Sequence, residues 1–144
     1  MKINKLIYCN IFLLLIVTRN SLAQSSVLSS GNWYKISVAQ EGIYCLTHSD
    51  LISLGINLSS IDPRNISIYG NKAGMLSVKN NLPHADDLKE IAISIKGESD
   101  GVFDVGDTIL FYGQSQIERL LDISGKRFVH RQNIYSDSTC YFLT

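Results

Sequence analysis

Apolar and polar residues alternate with a period of two along most of the chain beyond residue 32, the pattern of strands that bury one face. In "WYKISV" (33–38), Tyr34, Ile36 and Val38 fall on one side and Trp33, Lys35 and Ser37 on the other. "AQEGIYCL" then supplies a turn at Glu41-Gly42 and a second strand, Ile43 to Leu46, so these two segments are expected to form a hairpin. The period changes in "THSDLISLG". Thr47 and Asp50 fit a capping box, Leu51 and Leu54 are three apart, and Gly55 can close a short helix over about 48–54. "NLSSIDPRN" is a turn-rich connector in which Pro63 forces Asp62 to be extended. "ISIYG" reads as a strand ended by Gly70, "NKAG" as a tight turn and "MLSV" as a short strand.

A polar loop, "KNNLPHADDLKE", precedes the cleanest alternation, "IAISIKG", with Ile91, Ile93 and Ile95 on one face and Ala92, Ser94 and Lys96 on the other. "TILFYG" (108–113) is apolar on both faces and reads as a central strand. "QSQIERLLDISGKR" fits neither period well and is read as containing a helical turn; "FVHRQNIY" and "TCYFLT" are again β. Many short strands, frequent turns and one helix predict a mainly β fold, an antiparallel β-sandwich or barrel-like domain.

The first 23 residues do not fit this pattern. A basic head (Met1 to Lys5) leads into an apolar run from Leu6 to Val17, followed by Ser21-Leu22-Ala23. This is the layout of a secretory leader, with cleavage expected between Ala23 and Gln24. The apolar run is well short of the roughly 20 residues that span a bilayer. Residues 24–144 are then the mature domain, exported to the periplasm or the outer-membrane surface. Lys2, Lys5 and Arg19 leave with the leader, so 10 of the 13 basic residues remain against all 13 acids. A net charge near −3 argues against a nucleic-acid partner, which requires a basic face. Cys45 and Cys140 remain. In an oxidising compartment they can pair, or they can be two buried thiols packed as small apolar groups. The final "YFLT" reads as a strand still running at residue 144, as in a sequence truncated before a further domain.

Candidate chemistry centres on "ESDGVFDVGDTILFYGQ" (98–114). Glu98, Asp100, Asp104 and Asp107 can supply hard oxygen ligands for calcium, and Gly101 and Gly106 permit the necessary bends. The spacing departs from an EF-hand loop, since Val102 and Val105 sit between acids and no glutamate closes the loop. Asp-Gly and Gly-Asp are also turn dipeptides, and the preferred reading is a pair of turns with Phe103 tucked into the core between them. No catalytic residue is assigned. His48, His84 and His130 lack metal-ligand spacing, and neither cysteine sits at the kind of turn or helix start that activates a thiol. Phosphate-binding loops, nucleophile elbows and dinucleotide fingerprints are absent. The aromatic residues, distributed among the strands, read as core.

Five segments in order carry a family resemblance: "SVLSSGNWYKISVAQEGIYCLTHSDLISLGI", "IDPRNISIYGN", "GML", "DDLKEIAISIKGESDGVFDVGDTILFYGQ" and "NIYSDSTCYFLT". Together they resemble the amino-terminal region of the PorU-type sortases of the type IX secretion system, gingipain-like cysteine peptidases of Bacteroidota. The resemblance runs over about 25–144. It implies an outer-membrane-associated enzyme that removes the carboxy-terminal targeting domain of cargo proteins and attaches the cargo to surface lipopolysaccharide. The implied partners are a downstream peptidase domain, outer-membrane secretion components and cargo. The family's catalytic cysteine and histidine map onto no position of this sequence. The alternatives are a self-contained exported module that binds carbohydrate or calcium, and a small cysteine hydrolase that would depend on Cys45 or Cys140.

Overall fold

The computed structural model describes residues 25–144 apart from Ala73, Val78 and Asn80; the leader assigned to residues 1–23 lies outside the described residues. Among the described residues nine strands form three antiparallel sheets, with one short α-helix. Strands β1 (Tyr34–Val38), β3 (Ile68–Gly70), β4 (Lys89–Glu90) and β9 (Thr139–Leu143) make the first sheet, in the order β1-β9-β3-β4. Strands β2 (Gly42–Thr47), β5 (Ile93–Lys96) and β6 (Thr108–Gly113) make the second, in the order β2-β6-β5. A separate two-stranded ribbon consists of β7 (Ile117–Asp122) and β8 (Arg127–Gln132).

The first two sheets close over one apolar core and make a β-sandwich. Alternation places Val38, Ile68, Tyr141 and Leu143 inside from the first sheet and Ile109 and Phe111 from the second, all at most 3% exposed. Phe111 and Tyr141 meet edge to face across the core, with ring centroids 5.4 Å apart. Two glycines make this approach possible. A Cβ on Gly70 would lie 2.5 Å from the Tyr141 ring, and one on Gly113 would lie 2.9 Å from both Tyr44 and Val38. The Tyr141 hydroxyl accepts the Gln114 amide N–H at 2.7 Å, which ties the first sheet to the end of β6.

The α-helix, α1 (His48–Ser53), starts on a complete capping box: the Thr47 side chain accepts the Asp50 amide, and the Asp50 carboxylate accepts the Thr47 amide at 2.8 Å. Leu51 is its buried residue, and Gly55, at φ 86°, ends it. Asp62 is extended before Pro63, as expected, and the connector winds into 3-10 turns at Leu58–Ser60 and Pro63–Asn65.

Four expectations are corrected. The segments 34–38 and 42–47 do not pair with each other: β1 pairs with β9 and β2 with β6, so Ala39–Glu41 carries the chain from one sheet to the other. Alternation fixes which face of a strand is buried but not which strand lies beside it. The helical turn expected within 114–127 is strand β7, where Glu118, Leu120 and Asp122 oppose Arg131, Val129 and Arg127 in register. The described residues of 75–78 form no strand. Not all the aromatics are core, since Tyr112, Phe128 and Tyr135 are 46%, 69% and 85% exposed.

Candidate functional site

The acidic glycine stretch folds as two turns. Glu98–Asp100 is a single 3-10 turn between Gly97 and Gly101, both in the left-handed region at φ 95° and 79°. The Asp100 carboxylate accepts the Val102 amide at 3.1 Å, and the Asp107 carboxylate accepts the Asp104 amide at 2.7 Å. Phe103 is buried between them at 2% exposure, with its ring parallel to that of His48 at 6.5 Å. The Arg64 guanidinium reaches this loop: a Cβ on Gly101 would lie 3.2 Å from it. Arg64 is itself paired with Asp62 at 2.5 Å. That contact holds the Asp62 carboxyl below its ordinary range and raises the guanidinium above its own, with Glu98 contributing to the latter. Among the described residues no group of three or more His, Cys, Asp or Glu side chains is arranged to hold a metal ion. Of the four proposed calcium ligands, Asp100 and Asp107 are engaged with backbone amides of their own loop.

The cysteines lie on different sheets. Cys45 is on the outer, exposed face of β2 opposite Leu110, and Cys140 is half-buried on β9 opposite Ser37; both are free thiols. The reading of two buried thiols fails at Cys45, which occupies the outward phase of its strand's alternation. The three histidines are dispersed: His48 against Phe103, His84 at 3.6 Å from Asp86, and His130 opposite Arg119 on the β7–β8 ribbon.

A cleft that the sequence did not announce opens at the β3–β4 end of the first sheet. Its volume is about 750 Å³, within the usual range for small-molecule sites. Gly70, Ile91, Tyr112 and Tyr141 line it, together with the apolar side chains of Met75, Leu76 and Pro83. Lys72, Lys89 and His84 join the lining from three separate segments. One wall is anchored to the ribbon: the Gly74 carbonyl accepts Asn133 Nδ2 at 3.3 Å, and a Cβ on Gly74 would lie 2.9 Å from Glu118. Glu118, the acid in the lining, is bound by the Arg131 guanidinium, with Nε at 3.1 Å. The Tyr112 hydroxyl donates to Glu41, which keeps its proton in place and raises its pKa above 10.0. Glu41 also pairs with Arg119 at 2.5 Å.

The cleft draws residues from 70 to 141, so no contiguous motif marks it. The one local signal is Gly70, which ends a strand facing a large ring. A second, smaller cavity of about 220 Å³ lies at the other end of the sandwich between Leu51, Ile56, Ile66 and Leu143.

No family model matches the chain, and no curated protein matches it. Among solved structures, the crystal structure of dimeric latent PorU from Porphyromonas gingivalis is similar over 85% of this chain, with a TM-score of 0.64 and 25% sequence identity. The matched region is 10% of that protein, so this chain spans about a tenth of the PorU length. The chain therefore carries a PorU-like β fold.

Proposed function

We propose that the chain is a non-catalytic β domain from the amino-terminal region of a type IX secretion sortase of the PorU type. In this reading the whole protein removes the carboxy-terminal targeting domain of exported cargo and joins the cargo to surface lipopolysaccharide. The catalytic cysteine and histidine belong to a peptidase domain outside residues 25–144. This domain docks on that peptidase and on outer-membrane secretion components, and the leader at residues 1–23 delivers it for export. The observation that carries the proposal is the similarity to PorU at TM-score 0.64 over 85% of the chain. The order of the five sequence segments agrees with it.

Antibodies raised against residues 25–144 test the proposal in the native organism. They should capture from cell envelopes a polypeptide far longer than 144 residues that cleaves a cargo protein ahead of its carboxy-terminal domain. Capture of a species no longer than this chain, with no peptidase attached, overturns it.

A further inference from the structure

The geometry points to the cleft at the β3–β4 end of the first sheet as a binding site for a small anionic amphiphile, a carboxylate or phosphate head on an apolar body. This inference does not rest on the sortase reading. Three observations carry it. The cleft is large enough, at about 750 Å³, for a small molecule rather than a single side chain. Its lining includes an apolar and aromatic set, Met75, Leu76, Pro83, Ile91, Tyr112 and Tyr141, and Leu76 is 77% exposed.

The third observation is the charge. Glu118, the acid among the lining residues, is paired with Arg131, while Glu90 and Asp87 lie outside the lining, where they accept from the Ser67 hydroxyl at 2.7 Å and the Val27 amide at 2.6 Å. Asp86 stands by His84 at 3.6 Å. Lys72 and Lys89 have no ion-pair partner among the described residues, so the lining carries two unpaired ammonium groups beside its apolar residues. An anionic head between Lys72 and Lys89 gains charge-assisted hydrogen bonds, and an apolar body lying on Ile91, Tyr112 and Leu76 removes that surface from water.

The test is calorimetric titration of the purified chain with octanoate, octyl phosphate and octyltrimethylammonium, alongside amide-shift mapping. Octanoate or octyl phosphate should bind at one site, with shifts at Gly70, Leu76, Ile91 and Tyr112, and the cation should not bind there. The tighter of the two anions identifies the head group. The double variant K72Q/K89Q should weaken the anion about tenfold, from two partly exposed charge contacts. K35Q/K96Q, with the same charge change on outer strand faces, should leave it unchanged. Equal binding of the cation, equal losses in the two double variants, or shifts confined to the β7–β8 ribbon would each overturn the inference.

Discussion

Gly97 and Gly106 look equivalent in the sequence, each a glycine beside an acid, and both adopt positive φ, at 95° and 116°. Their surroundings differ. A Cβ on Gly97 would lie 1.7 Å from the Asp107 carboxylate, whereas one on Gly106 meets nothing within 4 Å. Gly106→Ala is therefore expected to cost only the backbone strain, about 1–2 kcal/mol. Gly97→Ala should cost about 2 kcal/mol more, since it also displaces Asp107 from the Asp104 amide. Urea denaturation of both variants measures the difference, and equal costs would show that the carboxylate moves freely. The same geometry bears on calcium. Asp107 already serves its own loop and Arg64 places a positive charge beside Glu98, so millimolar calcium is expected to leave the melting temperature unchanged. A rise of several degrees would restore the four acids as ligands. That turn residues dominate this stretch was legible from Asp-Gly and Gly-Asp. The intrusion of Arg64 from a connector more than 30 residues earlier was not, because nothing local records it.

Helix α1 is the element most legible in the sequence, because both halves of its capping box and its closing glycine lie within nine residues and act locally. Asp50 accepts from the Thr47 hydroxyl at 2.7 Å and from the Thr47 amide, and these bonds hold its pKa below 3.8. A carboxyl whose folded pKa is depressed stabilises the fold at pH above its unfolded value and loses that contribution as pH falls through the folded one. The stability difference between the wild type and Asp50→Asn should accordingly be constant at neutral pH and shrink as pH drops below about 3.8. Thermal melts at a series of pH values check this, and a difference independent of pH would remove the carboxylate from the cap. The β7–β8 ribbon is the opposite case. "QIERLLD" has apolar residues at spacings that suit either period, and only its in-register partner across the Asp122–Arg127 turn makes it a strand. Leu121 and Phe128, opposite one another, are 59% and 69% exposed. Leu121→Ser and Phe128→Ser should each change stability by no more than about 0.5 kcal/mol. Phe103→Ala, at 2% exposure, should cost about 3–5 kcal/mol. Large losses from the ribbon variants would mean that this face packs against the sandwich.

The assembly of these strands into one sandwich depends on pairings that run far along the chain, β1 with β9 and β2 with β6, and this is the part the alternating pattern could not specify. It also decides where the cleft lies, since Gly70, Tyr112 and Tyr141 come together only when both sheets are closed. Tyr141 is the point at which the sheets depend on each other. Its ring lies over Gly70 in its own sheet, meets Phe111 of the other at 5.4 Å, and its hydroxyl takes the Gln114 amide. If the two sheets fold as one cooperative unit, the Phe111–Tyr141 contact should appear as a coupling energy beyond the area each ring buries, about 0.5–1.5 kcal/mol for an edge-to-face pair. A double-mutant cycle with Phe111→Leu and Tyr141→Leu isolates it, because leucine keeps both positions apolar while removing the ring–ring geometry. Tyr141→Phe, measured beside the cycle, separates the hydroxyl's bond to Gln114, expected at about 1 kcal/mol. Additive losses from the two leucine variants, or two separate unfolding transitions, would mean that the sheets are held by their own ladders and only rest against each other. In that case the cleft would be a gap between independently stable parts, its width varying as they shift. A measured coupling would instead make it a rigid feature of a single core.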